Sequence, residues 1–303
     1  MRKSAGAGAA GRRIARGSRK PAPLSAAVLF LCLALGAPAQ AQAPAGAVAK
    51  AEVAVAAPAD ARLVSLLDAP HRSPSNVARD MFRHPLEVIS FFGIREDSTV
   101  VEILPGSGGY YLEILAPFLR DKGLFIAANR DESAPPNYLA DHQKLLARLN
   151  AEPERYGKVQ VTPFNVDKHD VAPPGSADVV MSFRNIHNWI DRDELAGSLR
   201  AFHRALKPGG VLGIVGHRGR EDRPQEVQTK DGYVRQDVAI ALIEKAGFRF
   251  DGSSEINANP KDTKDHPAGV WTLPPTWRLK DQDRARYQAI GESDRFTLRF
   301  VRQ

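Results

Sequence analysis

Two stretches of the chain carry residues whose types and spacing suit chemistry. The first is Val100-Val-Glu-Ile-Leu-Pro-Gly-Ser-Gly-Gly-Tyr110. An apolar, β-branched run ends there in a turn holding Gly106, Gly108 and Gly109. Glycines let a ligand approach the backbone closely, and a helix that follows presents free N–H groups suited to a carboxylate. Glu102, inside the run, is placed to hold a ligand's ammonium. The second stretch is Arg184-Asn-Ile-His-Asn-Trp189. His187 suits proton removal from a nucleophile, because an imidazole titrates near neutrality. Asn185 and Asn188 suit orientation of a substrate, and Trp189 suits its flank. A structural His–Trp pair capping a strand end is the competing reading. His217-Arg218 reads either as a pocket rim or as a loop-stabilising pair. The remaining histidines stand at no metal-ligand spacing, so no metal site is expected.

The elements that must position these groups alternate. Strands are expected at 99–104, 124–128, 159–164, 177–183, 211–215, 248–250 and 295–301, from short apolar runs bounded by turn residues. Helices are expected from near Asp60, over 75–92 with a break at Pro85, and over 110–120, 139–149, 194–206 and 236–246. Alternation of this kind predicts an α/β fold, a doubly wound and mostly parallel Rossmann-like sheet with helices on both faces. The ends of the first and fourth strands, where both chemical stretches lie, are where such sheets bind ligands. The segment 251–293 reads as a long polar loop.

The 303 residues carry a net charge of +7, but the excess sits at one end. Residues 1–41 hold seven of the 42 basic residues and none of the 35 acidic ones, so the remainder is formally neutral. A basic footprint for nucleic acid is not expected. The basic start leads into the apolar stretch 24–37 and then Ala37-Pro-Ala39-Gln-Ala41, a pattern of signal peptides with A-x-A cleavage. The organisation predicted is a signal peptide over 1–41, an Ala/Pro-rich tether over 42–60 and one domain over 61–303, exported to the periplasm or beyond. An uncleaved anchor is the alternative, although the apolar stretch is shorter than the about 20 residues a span needs. No stable membrane association is expected after cleavage. The single cysteine, Cys32, lies in the apolar stretch, so the mature chain is expected to form no disulfide.

Three motifs occur in a fixed order. The h-h-E-h-x-P-G-x-G run with Glu102, Gly106 and Gly108 resembles the first motif of class I S-adenosylmethionine-dependent methyltransferases. Asp167, followed by Pro173-Pro-Gly-Ser-Ala-Asp178-Val-Val180, resembles their acidic loop and fourth strand. Ala205-Leu-Lys-Pro-Gly-Gly-Val-Leu212 resembles the turn before their fifth strand. The blocks at 102–106, 183–189, 259–262 and 293–300 resemble a family of predicted bacterial methyltransferases with signal peptides. The resemblance implies S-adenosylmethionine as cofactor and a small-molecule acceptor. It implies that Gly106, Gly108 and Gly109 cradle the methionine moiety and that Asp167 meets the adenine amino group. Asn129 stands where an acid usually grips the ribose, with Asp131 two residues on as a substitute. A binding protein without catalysis on the same scaffold, and a dinucleotide oxidoreductase, are the other readings. The spacing G-x-G-G-Y lacks the third glycine of the dinucleotide turn.

Overall fold

Apolar and β-branched residues alternate between two helix-covered faces, and this builds the sheet. The structure is a computed structural model that describes residues 60–165 and 168–303. The expected signal peptide, the tether up to residue 59 and Asp167 lie outside the described residues. The strands are β1 (Thr99–Ile103), β2 (Leu124–Asn129), β3 (Gln160–Asn165), β4 (Lys168–His169), β5 (Ala177–Phe183), β6 (Leu206–His217), β7 (Phe248–Ser254) and β8 (Arg295–Arg302). They form one sheet in the order β4-β3-β2-β1-β5-β6-β8-β7. The pairs β1–β2, β1–β5, β2–β3 and β5–β6 are parallel. Strand β8 runs antiparallel to both β6 and β7, and the two-residue β4 is antiparallel to β3.

Successive residues of the central strands point to opposite faces. Val101, Ile103, Ile126, Ala128, Val180, Leu212 and Ile214 belong to one buried cluster with Trp189, Leu199 and Phe202. Val100, Phe125, Ala127, Val179, Met181 and Val215 belong to the other, with Ile89, Phe92, Leu112 and Phe118. Parallel strands buried on both faces read as continuous apolar runs. That is why the sequence announced them.

Three sequence expectations need correction. The helical stretch 75–92 is three short helices, Pro74–Val77, Asp80–Arg83 and Pro85–Phe91. His84 between the last two sits at φ 44°, and Pro85 begins a new helix, where its missing N–H costs nothing. The Lys207-Pro-Gly-Gly210 turn lies within β6, which already pairs at Leu206 with Ala177 and then shifts register. The polar segment 251–293 is no open loop. Strand β7 occupies it to Ser254, and it also holds a 3-10 turn, Gly269–Thr272, and a helix, Arg284–Ile290. Buried Asp262 organises the rest. It accepts hydrogen bonds from Tyr233 Oη (3.1 Å), the Asp294 N–H (2.9 Å) and, through the Oδ1–Nε2 contact of 2.8 Å, pairs with His266. Among the described residues no helix is long and apolar enough to cross a membrane.

Candidate active site

The glycine turn sits at the carboxyl end of β1. Strand β1 has β2 on one side and β5 on the other, so this is the switch point where doubly wound sheets bind ligands. Gly106 has φ +65° and Gly109 φ +48°, conformations that side chains resist. At Gly108 an added Cβ would meet nothing within 4 Å, so one face of the turn stands open. The opposite side is pinned by hydrogen bonds. Asn76 Nδ2 (2.9 Å) and Arg148 Nη1 (3.0 Å) donate to the Gly108 carbonyl. Ser107 donates to Asp141 from its N–H (3.1 Å) and its hydroxyl (2.5 Å). Arg148 also pairs at 2.5 Å with fully buried Glu113 in the helix Leu112–Leu119. None of Asn76, Asp141 or Arg148 is near the turn in sequence, and no local pattern marks them.

Glu102 is buried beneath the turn, and its Oε2 has no hydrogen-bond partner. Burial pushes its carboxyl up to about 8, against the pull of Arg83 and Arg184. At the end of β2, Asn129 is buried and its Nδ2 is also without a partner. Asp131 is held in the following loop: its Oδ1 accepts from the Ser133 N–H and Oγ and from Asn165 Nδ2.

Past β5, Asn185 donates from Nδ2 to the Ile103 carbonyl (3.3 Å) and to Ser182 Oγ (3.0 Å). It ties the ends of β1 and β5 together, so its amide N–H groups position the strands. The helix Ile186–Asp191 then carries His187 and half-buried Asn188. The His187 ring is buried against His217, 5.4 Å away, and edge-on to Trp271 at 5.8 Å. Its Nδ1 has no partner. Burial, reinforced by Arg184 and Arg192, pulls this imidazole down to about 4. It is therefore neutral near pH 7, with a free lone pair but a weaker base than an exposed imidazole. Burial also holds His217 well below its usual value, with its Nδ1 2.5 Å from Ser293 Oγ. Arg218 stabilises the loop, through Glu255 (2.7 Å) and the Arg295 carbonyl (3.1 Å). Trp189 is not at the strand ends. Its ring is buried among Phe164 and Phe202 on the helix-covered face, and Trp271 takes the place beside His187. Sequence reasoning missed Trp271 because its segment read as loop.

A family model described as a methyltransferase domain matches residues 139–214, about a quarter of the chain and wholly beyond the glycine turn. No curated protein matches the sequence. Among solved structures, a candidate sarcosine dimethylglycine methyltransferase from Galdieria sulphuraria is similar at TM-score 0.50 and 10% identity, over 78% of this chain and 90% of that one. A SAM-dependent methyltransferase from Aquifex aeolicus is similar at 0.49 and 17%, over 79% and 97%. An arsenic(III) S-adenosylmethionine methyltransferase from Chlamydomonas reinhardtii is similar at 0.46 and 19%, over 81% and 74%. The fold is thus one that methyltransferases share, and S-adenosylmethionine is the cofactor that the resemblance implies.

The residues present fit this cofactor. Glu102 Oε2 would hold its ammonium, the open face at Gly108 would admit its methionine end, and Asn129 Nδ2 would meet a ribose hydroxyl. Asn can make that bond without the charge assistance of an acid. When bound, the cofactor supplies an electrophilic methyl group on a sulfonium. The protein's own task is then alignment and exclusion of water.

Proposed function

We propose that this chain is a methyltransferase that moves the methyl group of S-adenosylmethionine to a small-molecule acceptor held at the ends of β5 and β6. The observation that carries the reading is the pair of unpartnered buried atoms, Glu102 Oε2 and Asn129 Nδ2, flanking an open glycine turn. Buried polar groups are almost always hydrogen-bonded, and an ammonium and a hydroxyl placed at the turn would satisfy these two. His187 serves as the acceptor's proton acceptor or lines its pocket, Asn188 stands beside it, and Asn185 holds the strand ends in place. Asp167 is assigned the adenine by resemblance. A dinucleotide oxidoreductase is disfavoured, because its sheet carries strand order 3-2-1-4-5-6 and here reversed β8 lies inside the edge. A non-catalytic cofactor-binding protein is the second reading. Asn129 in place of the ribose acid favours it.

Calorimetric titration with S-adenosylmethionine, S-adenosylhomocysteine and NAD tests the reading. Binding of the first two alone is expected, and binding of NAD alone would overturn it. Turnover with any acceptor then separates enzyme from binder. The export reading is proposed with it, from the signal-peptide pattern. N-terminal sequencing of the periplasmic protein is expected to begin near Gln42, and intact Met1 in a soluble cytoplasmic fraction would refute export.

A further inference from the structure

A cavity lies on the face of the sheet opposite the helix Leu112–Leu119, on the side of Trp189 and Leu199. It holds about 700 Å³ and is open to solvent. That volume is in the range of small-molecule sites. Its walls are the helices Leu195–Ala205 and Gln236–Glu244. The first lies against β5 and β6 and the second against β7, and β8 separates β6 from β7. Two to three strand spacings, about 10–14 Å, therefore part the two helices. Helices packed in contact stand about 8–10 Å apart. Along the groove Leu195, Ala196, Leu199, Arg200 and His203 follow one stripe of the first helix, a rise of about 12 Å.

Charge is divided between the two ends. Asp193 stands where the first helix begins, beside Leu195. Arg200, His203 and Lys245 gather toward the other end, next to Gly247, where an added Cβ would lie 3.4 Å from His203 Nε2. Among the described residues neither Arg200 nor Lys245 has an ion-pair or side-chain hydrogen-bond partner. Arg204, one turn beyond Arg200, does: it meets Asp170 at 3.7 Å and the His169 carbonyl at 2.9 Å. The carboxyl ends of the two helices contribute about half a negative charge each, against two full positive charges, so this end of the groove stays positive. Between the ends the lining is apolar. Ile190, Leu242 and Ala246 are half-buried there and pack against the cluster that holds Trp189 and Leu199.

We propose that this groove binds a medium-chain fatty acid, with its aliphatic chain between the two helices and its carboxylate at Arg200 and Lys245. A saturated chain asks for no hydrogen bond, which suits a strip with no polar group along its middle. The carboxylate supplies the charge that the basic end lacks. Arg200 presents its N–H groups as a fork that matches it, and Lys245 adds a point charge from the other helix. The proposal does not depend on methyl transfer. The groove and the candidate active site nevertheless share an element: the helix Ile186–Asp191 gives Trp189 and Ile190 to the groove and carries His187.

The test titrates the full chain with decanoate, decanol and acetate, each below the concentration at which it aggregates. Decanoate is expected to bind saturably at a single site. Decanol, which has the chain without the charge, should bind about tenfold more weakly, the worth of a charge-assisted hydrogen bond. Acetate, which has the charge without the chain, should bind at least about 10²-fold more weakly, because the chain supplies the apolar burial. The double variant Arg200→Ala, Lys245→Ala alters only exposed side chains, so it should fold as wild type does and bind decanoate no better than decanol. Ala246→Phe sets a ring in the groove and should weaken decanoate and decanol alike. Equal binding of decanoate and decanol, no binding of decanoate, or unchanged decanoate affinity in either variant overturns the proposal. Displacement of decanoate by S-adenosylhomocysteine would put the acid in the cofactor's site and also overturn it.

Discussion

The glycine turn and the ends of β5 and β6 are adjacent, yet they are built on opposite principles. Around the turn the backbone is held by side chains, although Arg72 Nε and Glu113 Oε2 beneath it are buried without a hydrogen-bond partner. Asn76, Asp141 and Arg148 hold its backbone. Beneath it Arg72 meets Asp80 at 2.5 Å, Tyr110 Oη donates to Asp80, and Arg148 meets Glu113. Past β5, Arg184 Nε and His187 Nδ1 are buried with no hydrogen-bond partner, as are Nε and Nη2 of nearby Arg83. The first region spends its interactions on shape. The second holds them in reserve, which lowers stability without a ligand and raises the gain when one arrives. A rigid frame beside a frustrated pocket is how a binding site is preorganised.

Breaking the rigid half should have the largest effect. Glu113 is fully buried and serves Arg148 and the Ser73 N–H, with Arg72 Nε at 3.9 Å. Glu113→Ala leaves Arg148 without its carboxylate and the Ser73 N–H without its acceptor, while Arg72 keeps Asp80, and should cost about 3–5 kcal/mol. Chemical denaturation checks it, and a loss below about 1 kcal/mol would mean the network is not what holds the turn.

The next effect falls on the frustrated half. If His187 takes a proton, His187→Ala should lower turnover by about 10²–10⁴-fold with cofactor affinity unchanged. It should lower the melting temperature less than Glu113→Ala does, by the packing its buried ring makes with His217 and Trp271. The pH profile sharpens the point. Neutral imidazole is the active form and is held down at about 4 in the free protein. Activity through this group should therefore be present above pH 5 and fall as pH drops through about 4. A limb centred near 6.5 would contradict the burial seen here.

Gly108→Val distinguishes open space from needed space. The side chain meets nothing within 4 Å, so the fold should survive. Cofactor affinity should fall by about 10²-fold or more, because the branched side chain fills the approach a ligand must use. Unchanged affinity would place the cofactor elsewhere.

The smallest effect is a proton. Glu102 is held at about 8, so near pH 7 it is largely protonated in the free protein. An ammonium beside it would favour the carboxylate, so binding should release up to about one proton at pH 7. Titrations in buffers of different ionisation enthalpy measure this, and Glu102→Gln should abolish it. The same shift fixes the stability sign. The folded form binds a proton between pH 4.5 and 8 that the unfolded chain does not, so Glu102's contribution falls as pH rises through that window. Glu102→Gln should accordingly be more stable than wild type at pH 8 and bind cofactor more weakly.

The sequence by itself determined the sheet and its first ligand turn. A run such as Thr99–Ile103 is apolar on both faces, and buried parallel strands need only that local property. Gly106 and Gly109 were legible because backbone conformation excludes other residues there. His187 was legible as a candidate because it follows a readable strand. The tertiary structure alone decided the rest. It reversed β8 within the edge, folded the polar segment 251–293 around Asp262, moved Trp189 into the core and brought Trp271 to His187. It also gathered Arg83, Arg184 and Arg295 from three distant parts of the chain around one cavity. Local runs reveal strands because burial repeats with the period of the backbone. A charge cluster has no period, since its members are neighbours only after the sheet has closed.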